Sequence, residues 1–177
     1  MNADLFTEEV VYVIDTSALI DLAHIFKYDK PVFKAVWEEI ENLIIKDNFV
    51  TLDFVEEEIN SYATDKDFLK DWFKKWKKKQ KLVKSTDEII INEAIPIINE
   101  EFNTGFLDKN KLANGKDEAD PYLIAYCKKN KFVLITTESK YKPNRIPAVA
   151  NKHGVRCIDL NEFFEERVLK MVRKNGQ

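Results

Sequence analysis

Residues 10–20 read VVYVIDTSALI. The run from Val10 to Ile14 is apolar and mostly β-branched, which is typical of a strand buried on both faces. Thr16 and Ser17 carry hydroxyls that can cap a helix, and the apolar residues after them recur at helical spacing. This stretch therefore predicts a buried strand that ends at Asp15 and leads directly into a helix.

Strands and helices alternate over the rest of the chain. The apolar pattern predicts three more strands, at residues 49–52, 132–135 and 155–158. Predicted helices occupy the intervals, at residues 31–43, from 53, 66–82, 87–102, from about 120, 147–153 and 161–172. Such alternation favours parallel strands joined by right-handed crossovers. We expect a single α/β domain over residues 1–177, a three-layer α/β/α sandwich around a mostly parallel sheet of four or five strands.

The helical region at about 65–116 is extended and carries two local signals. Pro96 lies inside one predicted helix and should bend or break it. Residues 103–116 are rich in Gly and Asn, which is typical of a loop. Just before this region, Asp53 and Glu56 have the spacing of a capping box, so the third helix should begin at Asp53.

Composition limits the class of protein. Hydrophobic residues make up 45% of the 177 residues and charged residues 33%, the proportions of a globular domain. No run approaches the roughly 18–20 apolar residues of a membrane span, and the acidic N-terminus lacks the basic region of a signal peptide. Cys127 and Cys157 lie in apolar settings, where reduced thiols are expected. We therefore expect a cytoplasmic protein that does not bind membranes.

Acidic and hydroxyl side chains follow the predicted strands. Asp15 ends the first strand, and Thr136 ends the third, with Glu138 shortly after it. The carboxyl ends of parallel strands meet at one edge of a sheet, where functional groups gather. A helix cap is the simpler explanation of Asp15, and a turn is the simpler explanation of Thr136 and Glu138. As functional groups, the threonine would orient a carboxylate and the glutamate would add charge.

Helical geometry selects one of three consecutive glutamates after the second strand. At about 100° per residue, Val55 and Ile59 define the inward face of the third helix. Glu58 lies at the border of that face and can point back over the sheet. Glu56 is better explained by the cap, and Glu57 by solvent.

Two aspartates lie near the start of the helix that begins with ADPYLIA. Asp120 precedes a proline, so it suits a helix N-cap, but the proline also fixes an acid beside the sheet edge. Asp117 is either an exposed loop charge or an outer member of the acidic cluster.

Converging carboxylates point to a hard divalent metal. Mg²⁺ and Mn²⁺ prefer oxygen ligands and keep several waters, and they relieve the repulsion among acids. One or two such ions can support in-line displacement at phosphorus. His24, His153 and the cysteines lack the spacing of zinc ligands, so we expect structural or surface roles for them.

A basic stripe runs between Lys66 and Lys84. It holds nine lysines against two aspartates, a local charge of +7, so the remainder of the chain carries −3 − 7 = −10. Lysines of this stripe can neutralise RNA phosphates without reading sequence. The alternative is a solvated face, with Trp72, Phe73 and Trp76 packed inward. The candidate phosphate contacts are Lys74, Lys75, Lys78 and Lys79.

Together these motifs resemble a PIN domain. The resemblance rests on VIDTSALID, FVEEEI, ADPYLIA and LITTE in that order, and it maps Asp15, Glu58, Asp120 and Thr136 onto the family's site positions. The tail RIPAVANKHGVRCIDLNEFFEE resembles the DUF4411 subgroup of PIN-like proteins. Glu138 departs from the usual Asn or Asp, and the region at about 65–116 is longer than in compact PIN toxins.

The resemblance implies a metal-dependent ribonuclease similar to VapC-type toxins. It also implies an RNA substrate, a homodimer and a cognate antitoxin that covers the acidic pocket. A catalytically silent module that binds RNA or protein is the main alternative. A phosphatase would need a second acid at Ser17, and a nucleotide-triphosphate binder would need a glycine-rich loop that the sequence lacks.

Overall fold

The computed structural model describes residues 9–62, 68–113 and 118–174. In chain order the elements are β1 (Tyr12–Ile14), α1 (Thr16–Ile25), a 3-10 turn (Pro31–Phe33), α2 (Lys34–Ile45), β2 (Phe49–Leu52), α3 (Asp53–Tyr62), α4 (Phe68–Lys78), β3 (Val83–Lys84), α5 (Glu88–Glu101), α6 (Lys109–Ala113), α7 (Ala119–Asn130), β4 (Val133–Ile135), α8 (Ile146–Lys152), β5 (Cys157–Ile158) and α9 (Leu160–Lys174). The predicted alternation of strands and helices is confirmed.

The five strands form one parallel sheet in the order β3-β2-β1-β4-β5. Tyr12 of β1 is in register with Phe49 of β2 on one side and with Val133 of β4 on the other. The first strand of the sequence is therefore the central strand. Because every strand is parallel, all of the strand ends that carry predicted site residues lie at the same edge.

Helices cover both faces of the sheet. Every residue of β1, β2 and β4 is buried, although successive side chains in a strand point to opposite faces. On one of these faces Phe163 of α9 packs edge-on against Tyr12, with 4.9 Å between ring centroids, and also contacts Phe49 at 5.8 Å. The three-layer α/β/α arrangement predicted from the sequence is confirmed.

Three local predictions were wrong. Helix α5 continues through Pro96, because Ala94 and Ile97 are buried and the helix packs along α7, which outweighs the missing backbone hydrogen bond. Residues 109–113, predicted as loop, form α6. The fifth strand, Val83–Lys84, was not located in the sequence because two half-buried residues are too short to show a period. In the described parts of the chain, every helix falls short of the length and apolarity needed to traverse a bilayer.

Candidate active site

A cleft of about 560 Å³ opens at the carboxyl edge of the sheet. Four acids from separate elements line it: Asp15 after β1, Glu58 on α3, Asp120 on α7 and Glu138 after β4. The structure thus brings together four of the acids singled out in the sequence. The rest of the lining comes from Thr16, Ser17, Ile20, Gly105, Phe106, Leu107, Asp108, Glu118, Arg145 and Ile146.

Asp15 is held by three hydrogen bonds. One carboxylate oxygen, Oδ1, accepts from the backbone N–H of Ala18 at 2.7 Å, which caps α1. The other, Oδ2, accepts from the hydroxyls of Ser17 at 2.8 Å and Thr136 at 2.6 Å. Only 2% of Asp15 is exposed to solvent. The two interpretations of this residue are therefore compatible, because it caps a helix and also lines the cleft.

The pKa of Asp15 is raised from 3.8 to about 7. Burial is the largest cause, and it outweighs the hydrogen bonds from Thr136, Ala18 and Ser17, which lower the pKa. The charge of Glu138 raises it further. A nearby cation would reverse this effect, because it favours the ionised carboxylate.

All of the largest influences on the pKa of Asp120 raise it, and none of them lowers it. Burial, then the charges of Asp15, Glu138, Glu58 and Glu118, raise its pKa well above the usual value. Asp120 is the second residue of α7, whose N-cap is Glu118, so the N-cap interpretation of Asp120 was wrong. An acid in this position gains from a bound cation and has no capping role to explain it.

The three glutamates of α3 point in different directions, as helical geometry predicted. Glu58 lines the cleft and accepts a hydrogen bond from the Thr16 hydroxyl. Glu57 is exposed to solvent. Glu56 is buried and forms an ion pair with Lys77 at 2.9 Å.

Helix α3 begins at Asp53 as predicted, but the carboxylates of Asp53 and Glu56 have partners other than those of a capping box. The carboxylate of Asp53 accepts from the backbone N–H of Thr86 at 2.9 Å and from the Thr86 hydroxyl at 2.6 Å. These bonds tie the start of α3 to the chain just after β3. The capping box failed because Asp53 has a distant partner and Glu56 pairs with Lys77.

Thr136 and Glu138 position other groups. Thr136 is buried and holds Asp15, and its hydroxyl oxygen accepts from the backbone N–H of Glu138 at 3.1 Å. The carboxylate of Glu138 accepts from the backbone N–H of Ile146 at 2.8 Å and from Arg145 at 3.2 Å. Glu138 thereby fastens the first turn of α8 to the end of β4, while its charge acts on the cleft.

Sequence reasoning missed two contributors to the site. Ser17 was interpreted only as a capping hydroxyl, although it bonds Asp15 and accepts from the Thr137 hydroxyl at 3.1 Å. Glu118 lines the cleft, and one of its carboxylate oxygens accepts from the backbone N–H of Asp108 at 2.9 Å. Asp117, its neighbour and a candidate outer acid, lies outside the described residues.

Comparison with known proteins assigns the chain to a family. The family described as "Domain of unknown function (DUF4411)" matches residues 12–171. The chain belongs to this family. Among curated proteins, no match was found. A solved structure, "Crystal structure of PAE2754 from Pyrobaculum aerophilum", resembles this DUF4411 chain with a TM-score of 0.50 and 16% identity, over 89% of this chain and 96% of that one. At that identity the likeness shows the fold alone.

Helix α4 of this DUF4411 chain carries most of the basic stripe, and its aromatic side chains pack inward, as one of the two interpretations of the sequence predicted. Trp72, Phe73 and Trp76 are at most 2% exposed. Three of the four candidate lysines have partners: Lys74 pairs with Asp71 at 3.6 Å, Lys75 with Glu41 at 2.7 Å, and Lys79 lies 4.6 Å from the Trp76 ring centroid. Lys78 is exposed. These lysines lie outside the cleft lining, so their contact with RNA stays a prediction.

The donor set of the cleft fits a hard divalent ion. Its candidate ligands are carboxylate oxygens. The carboxyl groups of Asp15 and Asp120 have raised pKa values because burial disfavours their charged forms. Within the residues that the structure describes, no three cleft acids bring oxygens within 4.8 Å of one another. Mg²⁺ is commonly held by one or two carboxylates and several waters, so an open set of this kind suits it. Of Asp15, Glu58 and Asp120, one or two would bind the ion directly, and waters would complete its coordination.

A second cluster could also hold a metal ion. Glu100, Glu101 and His153 place one potential ligand atom each within 4.8 Å of the others. The prediction that His153 has no other potential metal ligands near it was wrong. Its acidic neighbours come from α5, far away in the sequence.

Proposed function

We propose that this chain is a PIN-type endoribonuclease that uses Mg²⁺ or Mn²⁺ to hydrolyse phosphodiester bonds in RNA. One observation carries the proposal: three acids from three separate elements, Asp15, Glu58 and Asp120, converge in one cleft at the carboxyl edge of the sheet. Burial raises the pKa of Asp15 and of Asp120, and the charges of neighbouring acids raise the pKa of Asp120 further, so a bound cation would favour the ionised form of both. Membership of DUF4411 leaves the activity open, and the PIN-like order of the motifs supports a nuclease.

One or two bound ions would act as Lewis acids toward the scissile phosphate and the attacking water. The chain's own residues orient that chemistry. Thr136 and Ser17 hold Oδ2 of Asp15 from two sides, so this carboxylate has a fixed direction. Thr16 orients Glu58 in the same way. Asp15 would release its proton when a cation binds, because ligands must be deprotonated.

We further propose that the chain is the toxin of a type II toxin–antitoxin pair and acts as a homodimer. This finer assignment rests on the likeness to VapC-type toxins in the motifs around Asp15 and Asp120. An antitoxin segment that covers so acidic a cleft should place a Lys or Arg among the carboxylates, since a cation relieves the same repulsion as the metal. Co-expression with the proposed antitoxin should then abolish RNA cleavage.

The test is cleavage of total RNA by the full chain with Mn²⁺, with Mg²⁺ and with chelator. Asp15→Asn and Asp120→Asn should each reduce cleavage by about 10²–10³-fold, as loss of one preorganised charged group does in other enzymes. Glu57→Gln is the matched control, because it removes an exposed acid from α3. Cleavage that survives in chelator, or at the wild-type rate in Asp15→Asn, would overturn the proposal.

A catalytically silent module is the alternative outcome. It would show neither cleavage nor an increase in thermal stability when Mn²⁺ or Mg²⁺ is added, since only a ligand that binds the native state shifts unfolding. A thermal titration with both ions, compared between wild type and the Asp15→Asn, Asp120→Asn double variant, therefore separates the two functions independently of the choice of RNA.

A further inference from the structure

A histidine and two glutamates meet where two helices end. Glu101 is the last residue of α5, with Glu100 beside it, and His153 is the C-cap residue of α8. The side chains of Glu101 and His153 are 3% and 8% exposed, whereas that of Glu100 is 51% exposed. The cluster is therefore anchored in the protein on two sides and open to solvent on the third.

His153 has a buried nitrogen that needs a partner. Its Nε2 is inaccessible to solvent, and no described group lies within hydrogen-bonding distance of it. It faces the two carboxylates, 3.6 Å from Oε1 of Glu101 and 3.8 Å from Oε2 of Glu100. Buried polar nitrogens are almost always satisfied, so an orphaned imidazole aimed at two acids calls for a ligand between them.

The distances suit a shared metal ion. A nitrogen and an oxygen bonded to the same tetrahedral ion at about 2.0–2.2 Å lie about 3.4 Å apart. The observed separations exceed a hydrogen bond and come close to this value. The mixed nitrogen and oxygen donor set favours a transition-metal ion, because imidazole suits Zn²⁺, Ni²⁺ and Cu²⁺ better than Mg²⁺.

A lysine competes for the same carboxylates. The ammonium group of Lys152 lies 2.5 Å from Oε1 of Glu101 and 2.8 Å from Oε1 of Glu100. The Lys152 side chain is 47% exposed, so it can turn into solvent when another cation arrives. The ion pair between Lys152 and Glu100 is exposed on both sides, and exposed ion pairs contribute little to stability. The lysine also shows that this position already attracts positive charge.

We propose that Glu100, Glu101 and His153 form a second metal site, selective for a divalent transition-metal ion such as Zn²⁺. The ion would join the end of α5 to the end of α8, and the carbonyl ends of both helices add negative potential there. The opposite end of α8 is the one that Glu138 fastens to the cleft. The site is thus structural, separated from the acidic cleft by the length of α8, roughly 10 Å at 1.5 Å per residue.

The test measures metal binding to the full chain freed of metal, with Co²⁺ as a spectroscopic probe and Zn²⁺ as the competing ion. In wild type, Co²⁺ should give a visible absorption band, Zn²⁺ should displace it, and Mg²⁺ should not. Zn²⁺ should also raise the midpoint of thermal unfolding. His153→Gln should weaken Zn²⁺ binding by at least about tenfold, the lower limit for loss of even an outer-shell group at a metal site.

Further variants keep the result interpretable. Glu100→Gln removes an exposed ligand with little risk to folding and should also weaken Zn²⁺ binding, whereas Lys152→Gln removes the competitor and should tighten it. The double variant Asp15→Asn with Asp120→Asn should keep the visible Co²⁺ band, because the nitrogen-containing site that gives this band is separate from the cleft. An unchanged Co²⁺ band in both His153→Gln and Glu100→Gln, or loss of the band in the cleft double variant, would overturn the proposal.

Discussion

The hydroxyl of Thr136 donates a hydrogen bond of 2.6 Å to Oδ2 of Asp15, although 121 residues separate the two in sequence. The bond joins the ends of β1 and β4, which are neighbours in the sheet. It fixes the direction of a buried carboxylate and lowers the pKa of that carboxylate against the effect of burial. The threonine therefore controls both the geometry and the charge of Asp15.

Replacement of Thr136 by valine should raise the pKa of Asp15 above its value of about 7. The substitution conserves shape but removes the donor, so the ionised form of Asp15 loses a stabilising hydrogen bond. The pH–rate profile of RNA cleavage should move to higher pH, and cleavage at pH 7 should fall by about tenfold or more. Thr136→Ser keeps a hydroxyl and should restore the wild-type profile. A purely structural role would lower activity equally at every pH.

The stability of the metal-free protein should depend on Asp15 between pH 4 and pH 7. The folded pKa of about 7 exceeds the ordinary value of 3.8, so the native state retains a proton that the unfolded chain releases. The stabilising effect of that proton is complete below pH 4 and is lost as pH rises toward 7. The free energy of unfolding should fall by on the order of 4 kcal/mol over this range from Asp15 alone.

The measurement is urea unfolding in chelator, compared between wild type and Asp15→Asn at several pH values. Carboxylates whose pKa is lowered, such as Asp47 and Glu162, act in the opposite direction but are common to both proteins. The difference between the two proteins isolates Asp15. A difference that stays constant from pH 4 to pH 8 would contradict the prediction.

Asp120→Asn should stabilise the metal-free protein at pH 8. All of the largest influences on this carboxylate oppose its charge, so a neutral amide removes repulsion from Asp15 and Glu58. The variant should therefore unfold at a higher urea concentration than wild type. Urea unfolding in chelator measures this difference in stability. The control is Asp71→Asn, which neutralises an exposed aspartate of α4. Added Mn²⁺ should stabilise wild type more than the variant, and a variant less stable than wild type in chelator would refute the electrostatic account.

Adjacent glutamates of α3 provide a matched pair. Glu58→Gln should lower RNA cleavage by at least about tenfold and weaken stabilisation by Mn²⁺, because this residue lines the cleft. Glu57→Gln should change cleavage by less than about twofold, since exposed substitutions have small effects. Equal effects of the two variants on cleavage would show that Glu58 has no special part in the site.

The lysines of α4 can be tested through the salt dependence of RNA binding. If Lys74 and Lys78 contact phosphates, the double substitution to Gln should weaken binding and reduce the salt slope by about 0.7 for each contact to single-stranded RNA. Lys34→Gln removes an exposed lysine of α2 and is the control for net charge. An unchanged salt slope in the double variant would assign these lysines to a solvated face.

The sheet and its layers could be predicted because their signals are local. The five apolar residues before Asp15 and the regular alternation of elements predict a parallel sheet and a first strand buried on both faces, whereas the central place of that strand comes from the structure. Shorter features escaped because tertiary contacts decide them. β3 spans only Val83–Lys84, and α5 continues through Pro96 because its neighbour α7 holds it in place.

The acids of the cleft could be predicted for a similar reason, since strand ends and helix faces follow from spacing. Their partners could not. No sequence period shows that Arg145 and the backbone of Ile146 reach Glu138, or that His153 lies beside Glu101. Such contacts depend on how helices end and pack, which only the folded chain determines.

The cleft combines two parts of the chain with different constraints. The carboxylates of Asp15 and Glu138 are fixed by hydrogen bonds at the ends of β1 and β4, whereas one wall consists of Gly105, Phe106 and Leu107 from the segment before α7. A changed wall alters the width of the entrance and leaves the strand ends where they are. Substitutions in this wall should therefore change which RNA segments enter the cleft, while the acidic side chains at the strand ends keep their positions.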